Sequence, residues 1–185
     1  KRELLAHIIR SRDLRQVLVF TATRIGANRL AHQLRAAHIH ADAIHGDKSQ
    51  SERLIALEAF KAGKTAVLVA TDVASRGLDI EGLPQVINFD VPHSPEDYVH
   101  RIGRTGRTGA SGEAISLVSP DDLESLAAIE RLINKRIERV LVPGYEPALA
   151  TLTALLGKDA AQSLRRAAAA TATATAPARP ARVAP

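Results

Sequence analysis

Residues 66–80 read Ala66-Val67-Leu68-Val69-Ala70-Thr71-Asp72-Val73-Ala74-Ser75-Arg76-Gly77-Leu78-Asp79-Ile80. An unbroken apolar run that ends abruptly in a polar loop is the pattern of a strand buried on both faces, and such strands belong to parallel sheets covered by helices. Ligands of these sheets collect beyond the carboxyl ends of the strands, so Thr71, Asp72, Arg76 and Asp79 fall where a site is expected. The alternation continues in both directions. Upstream, Leu4, Leu5, Ile8 and Ile9 begin a helix without a cap, 17–21 is a strand, and 24–37 is a helix with Ile25, Leu30 and Leu34 inward. A second strand spans 40–44. Ser49 or Ser51 then caps a helix that carries Leu54, Leu57 and Phe60 and stops at Gly63. Downstream, 85–89 and 114–118 are strands, Pro92 and Pro95 lead into a short helix through Tyr98 and Val99, and Pro120 and Asp121 open a helix striped with Leu123, Leu126, Ile129, Leu132 and Ile133. Five strands separated by helices predict an α/β fold, a mostly parallel sheet with helices on both faces.

A second stretch, His100-Arg101-Ile102-Gly103-Arg104-Thr105-Gly106-Arg107, combines cationic side chains with glycines. Arginine offers a planar fork of donors that stays charged at any working pH, and glycine lets the backbone come close to a bulky anion. Arg104 and Arg107 are three apart with small residues between them, so both guanidinium groups can reach one triphosphate. Gln50 and Arg53 stand one turn apart at a helix start, where free amides and the helix dipole favour an anion. Read alone, Asp79 is equally a turn cap, Arg53 a salt-bridge partner of Glu52, and His100 a hydrogen-bonded imidazole.

Four segments in this order, VLVFTATR at 17–24, HGDKSQSER at 45–53, TDVASRGLDI at 71–80 and HRIGRTGR at 100–107, resemble the second RecA-like domain of DEAD-box ATP-dependent RNA helicases. The resemblance covers about 1–147, and the ending IERLINKRIERVLVPGYEP at 129–147 is most similar to the bacterial RhlE-type subgroup. It implies a RecA-like fold and the C-terminal half of an ATP-dependent RNA helicase. Arg104 and Arg107 are the implied catalytic residues, reaching the γ-phosphate of ATP across an interdomain cleft, with Arg107 as arginine finger. Gly77 and Asp79 are implied nucleotide contacts, Asp79 to the ribose. Thr21, Thr23, Gly46, Gln50, Arg53, Thr71, Asp72 and Arg76 are implied RNA contacts, and His100 and Arg101 join the contacts between domains. ATP is the implied cofactor, its Mg2+ held by the N-terminal RecA-like domain of the same parent chain. Ala22 departs from the longer polar or basic residue of many relatives, and one contact is expected to be missing there.

The 185 residues contain neither a GxxxxGK[ST] phosphate loop nor an Asp-Glu-Ala-Asp sequence, so half of a catalytic site is expected here and the chain alone is expected to be inactive. A start on Lys1, directly in a helix, reads as a piece of a longer protein. The alternative function is a stand-alone RNA-binding or regulatory module without ATPase activity. A DEAH-type half is disfavoured by His100, where those relatives usually carry Gln.

Composition narrows the partners. Cysteine is absent, which removes disulfides and thiolate metal sites. His38, His40 and Asp42 alternate along one short strand, a poor cage for a tetrahedral ion, and no metal site is assigned. No apolar run approaches the roughly 18 residues of a membrane span, and a cytoplasmic protein without membrane contact is expected. Residues 148–185 hold five basic residues against one acidic, a net of +4, while 1–147 hold 20 against 19, a net of +1. Anion sites in the body must therefore be local clusters. The Ala/Thr/Pro/Arg-rich stretch 148–185 is expected to be a flexible tail, disordered from Ala167 onward, and a candidate site for protein partners. With three Phe, two Tyr and no Trp, base stacking is scarce, so RNA recognition is expected to run through the sugar-phosphate backbone.

Overall fold

The computed structural model describes residues 1–76, 78–80, 82–106, 112–163, 165 and 166. Five strands, β1 (Val17–Phe20), β2 (Ala41–Ile44), β3 (Val67–Ala70), β4 (Gln85–Asn88) and β5 (Glu113–Ser116), pair in the order β2-β3-β1-β4-β5, all parallel. The expected mostly parallel five-stranded α/β sheet is therefore present. α1 (Arg2–Ser11) precedes β1, between the strands run α2 (Arg24–Ala36), α3 (Gln50–Lys61), α4 (Asp72–Ser75) and α5 (Pro95–Ile102), and after β5 a 3-10 turn Pro120–Asp122 leads into α6 (Leu123–Leu132).

Strand alternation distributes the core to both faces. Val17, Val19, Val67, Val69 and Ile87 pack with Leu5, Ile8 and Ile9 of α1 and Ala27, Leu30, Ala31 and Leu34 of α2. Leu18, Phe20, Leu68, Ala70 and Val86 pack with Ala56 and Phe60 of α3 and Ala74 of α4. Burying each large apolar side chain of this kind contributes about 1.5–3 kcal/mol.

Ile25, expected inward, points out, and so do Leu54 of the apolar set on α3 and Leu132 of the stripe on α6, the last 49% exposed. Ile25 is 80% exposed and Leu54 51%. The inward stripe of α2 runs through 27, 30, 31 and 34, and that of α3 through 56 and 60, so at 100° per residue Ile25 and Leu54 fall on the far side. The loop expected after β3 contains the short helix α4. The edge strand β2 is guarded, since Arg35 Nη1 donates to the Ala41 carbonyl at 2.7 Å, occupying an acceptor that another strand could use.

Ser49 caps α3 reciprocally with Glu52. The Glu52 amide donates to Ser49 Oγ at 3.3 Å and the Ser49 amide to Glu52 Oε2 at 2.9 Å. Lys48 Nζ, 2.9 Å from Glu52 Oε1, together with the Ser49 donors lowers the Glu52 carboxyl to about 2. A depressed carboxylate contributes stability that is fully present above its unfolded value, 4.5, and lost as pH falls through the folded one. Glu52→Gln is expected to lower the melting temperature near neutral pH and to leave it unchanged below about pH 2. Thermal melts of both proteins across this range check it, and a constant gap would refute the linkage.

By contacts the chain divides into two compact units, Lys1–Lys135 and Arg136–Pro185, with the composition shift at Pro147 inside the second. The second unit carries α7 (Leu149–Leu156), closed by Gly157 at φ 79 and ψ 163, a backbone conformation that essentially only glycine adopts. The disorder expected from Ala167 onward lies outside the described residues. No helix among the described residues is long and apolar enough to cross a membrane.

Candidate functional site

The connection leaving β1 runs toward β2 and the one leaving β4 toward β5, so a crevice opens between the carboxyl ends of β1 and β4. This reversal of direction is where ligands of open α/β sheets bind. Near these strand ends lies Arg101, 2% exposed. Arg101 Nε and Nη2 donate to the two carboxylate oxygens of Asp72 at 2.6 and 2.7 Å, and Nη1 donates to Asn88 Oδ1 at 3.0 Å and the Asp90 carbonyl at 2.7 Å. The guanidinium lies 5.0 Å from the centroid of the Phe20 ring. One side chain from α5 thus ties together the ends of β1, β3 and β4. Within its own domain Arg101 is thus held by Asp72, Asn88 and Asp90, and Asp72, 27% exposed, keeps part of its carboxylate at the surface. His100, its neighbour, is exposed.

Arg104 laces the loop after α4. Its Nη1 donates to the carbonyls of Leu78 at 3.2 Å and Ile80 at 3.5 Å, and its Nη2 to that of Ser75 at 3.2 Å. The backbone joins in, with the Leu83 amide on the Arg104 carbonyl at 3.0 Å. The laced loop carries Asp79, whose side chain is 95% exposed and meets Lys61 Nζ at 2.9 Å. Such an open, singly paired carboxylate suits the two hydroxyls of a ribose. Arg104, by contrast, must release carbonyls before its guanidinium can turn to a phosphate. Gly77 and Arg107 lie outside the described residues.

The remaining candidates line the neighbouring strand ends. Thr21 is buried, its hydroxyl 3.4 Å from the Thr23 carbonyl, while Thr23 caps α2 by accepting the Gly26 amide at 3.0 Å. Gly46 is exposed in the loop after β2. Gln50 Oε1 accepts from Arg53 Nη1 at 3.3 Å, Arg53 Nη2 donates to the Ala74 carbonyl at 3.1 Å, and Arg53 Nε is buried with no partner among the described residues. Arg53 thereby joins α3 to α4, whose N-cap residue Thr71 is itself buried. Arg76 reaches Asp97 at 2.6 Å.

Sequence reasoning missed Asn88, Asp90, Phe20, Lys61 and Asp97. The first three sit within strand-like or turn-like text, and nothing in a hydrophobic run announces that its last residues will hold a buried arginine. Lys61 and Asp97 had a signal only in their charge.

The profile of the helicase conserved C-terminal domain family matches residues 1–109. The DEAD-box ATP-dependent RNA helicase CshA of Bacillus subtilis (strain 168) is 43% identical over 132 residues, 71% of this chain and 27% of that protein. ATP-dependent rRNA helicase RRP3 of Saccharomyces cerevisiae (strain ATCC 204508 / S288c) is 42% identical over 123 residues, 66% of this chain and 25% of that protein. The chain thus spans about a quarter of the length of these relatives. Among solved structures, the E. coli DEAD-box protein SrmB bound to regulator of ribonuclease activity A superposes with a TM-score of 0.72 at 40% identity, covering 76% of this chain and 83% of that one. S. cerevisiae Dbp5 bound to RNA and ADP BeF3 gives 0.67 at 32% identity, covering 74% and 38%. With the profile spanning more than half of its residues and the fold shared with these proteins, the chain belongs to the helicase conserved C-terminal domain family, in the form that makes up the C-terminal half of DEAD-box ATP-dependent RNA helicases.

Proposed function

We propose that this domain works in a full-length, cytoplasmic ATP-dependent RNA helicase of the RhlE-type subgroup, closing with an N-terminal RecA-like domain on ATP and an RNA strand. The observation that carries the reading is the convergence at one switch point of the loops after β1, β3 and β4 with the arginine segment, tied by Arg101 and Arg104. The likeness to Dbp5, which is bound to RNA and ADP BeF3, supports it. ATP supplies a phosphoryl group whose transfer to water drives the cycle, and its Mg2+ is held by the partner domain. Asp79 accepts hydrogen bonds from the ribose hydroxyls, and Gly77, two residues earlier in the sequence, is a further nucleotide contact. Arg104 and Arg107 offer positive charge to the phosphates. Thr21, Thr23, Gly46, Gln50, Arg53, Thr71 and Arg76 meet the RNA backbone, while Asp72 acts one step back by holding Arg101. His100 faces the partner domain, and the tail takes protein partners.

A ribose contact is present in ATP and ADP alike. Asp79→Ala in the full-length protein is therefore expected to weaken both nucleotides about tenfold or more, as loss of a charge-assisted hydrogen bond does, with turnover at saturation little changed. Titration of a fluorescent ADP checks this. ADP binding within twofold of the parent would remove Asp79 from the site. The 185-residue chain by itself is expected to hydrolyse no ATP above background, because it has no phosphate loop; steady RNA-stimulated turnover would overturn the division of labour.

A further inference from the structure

We propose that His45 is a positioning residue for the RNA-facing turn 45–48: as a neutral imidazole it accepts the Asp47 amide and holds the turn, and acid releases it. The proposal rests on the RNA reading above. β2 and β3 pair as Ile44↔Ala70 and β1 and β3 as Phe20↔Ala70. One residue further, the Thr71 amide donates to the Ile44 carbonyl at 3.4 Å and the Thr21 amide to the Ala70 carbonyl at 3.0 Å. His45, Thr71 and Thr21 therefore form a row of buried polar residues across the carboxyl ends of three adjacent strands. Two members of this row were candidate RNA contacts, and the third is not accounted for by any role described so far.

His45 is 2% exposed. The Asp47 amide donates to its Nδ1 at 3.3 Å, and the Lys48 amide donates to its carbonyl at 3.1 Å. A ring nitrogen that accepts carries no proton, so the neutral ring has its hydrogen on Nε2. Nε2 is buried and has no partner among the described residues. A second proton would set an N–H on Nδ1 against the Asp47 N–H. Two donors at hydrogen-bond distance cannot coexist, so the ring or the turn must move.

The charged groups around the ring are Arg24 at the start of α2, Asp47 and Lys48 in the turn, and Glu52 in the first turn of α3. Two cations oppose two anions, and burial, the largest influence, lowers the His45 pKa from its ordinary value of 6.5. Near neutral pH the turn is therefore held. Its outer side is open, since a Cβ placed on Gly46 would meet only Arg24 Cδ at 4.0 Å, which leaves the backbone free for a phosphate to approach.

The test measures binding of a single-stranded oligouridylate to the 185-residue chain between about pH 7.5 and pH 5, with NMR of the His45 ring and the Asp47 amide. The expected result is an Nε2-protonated ring at the upper end, an Asp47 amide that shifts with the ring's titration, and RNA affinity that falls roughly tenfold, the scale of one lost hydrogen bond to a charged partner. His45→Asn keeps an acceptor and cannot titrate, so it is expected to bind within about threefold of the parent at the upper end and to flatten the fall. His45→Leu, lacking the acceptor, is expected to bind weakly throughout. An Nδ1-protonated ring, an Asp47 amide indifferent to the titration, or a His45→Asn profile parallel to the parent's would overturn the proposal while leaving the RNA face intact. RNA-induced shifts that spare Gly46 and Gln50 near neutral pH would overturn the RNA reading itself, and the proposal with it.

Discussion

Arg107→Ala in the full-length helicase is expected to lower ATP turnover by a factor of about 10³ or more, with ATP affinity changed only a few fold, because an arginine finger acts on charge that develops in the transition state. Lysine is not expected to rescue it. A compact ammonium lacks the planar fork, and Arg107→Lys should remain within about tenfold of Ala. The lacing of Arg104 to Ser75, Leu78 and Ile80 gives the experiment its control, because in the proposed site that residue would serve the loop as well as the phosphates. Arg104→Ala should weaken ADP binding along with turnover, since the loop bearing Asp79 loses its ties, whereas Arg107→Ala should spare ADP. Single-turnover hydrolysis at saturating RNA, with ADP titrations of both variants, separates the two. Hydrolysis by Arg107→Ala at the parent's rate would remove it from the catalytic role.

Asp72→Ala is expected to be the most destabilising single change outside the apolar core, by about 3–5 kcal/mol, because it leaves the Arg101 guanidinium buried without its counter-charge. Against a total stability of about 5–15 kcal/mol, that brings the domain close to unfolding. The pair is asymmetric: the Arg101 side chain is 2% exposed and that of Asp72 27%. Replacing Arg101 as well, by Met, should recover part of the loss, since an apolar residue of similar length removes the orphaned charge. Urea midpoints of the 185-residue chain report both. A loss under about 1 kcal/mol for Asp72→Ala would mean that Asn88 and Asp90 hold Arg101 unaided.

The sheet was legible because AVLVA and VLVF are short apolar runs stopped by polar loops, a local pattern that encodes a buried strand. Ile25 and Leu54 misled because apolar identity carries no facing; only the phase of Ala27, Leu30 and Leu34, or of Ala56 and Phe60, supplies it. Arg101 was harder to read. A cationic segment looks solvated until its acidic partner is known, and Asp72 is 29 residues away in the chain. Arg104 was less legible still, since its partners are main-chain carbonyls, which every residue has. The capping of α3 by Ser49 was readable at once, because donor and acceptor lie within one turn.

The order of the sheet also sets a schedule for folding. β1 is the central strand, yet Val17 finds its neighbours only in Val67 and Gln85, both made later in synthesis. Until then a wholly apolar segment has no sheet to join, and non-local parallel pairings of this kind are slow to form and exposed to association while they wait. The helices α1 and α2 flank β1 in the sequence and cover one of its faces in the finished sheet, so within this domain they are the partners that it can meet before β3 and β4 are made.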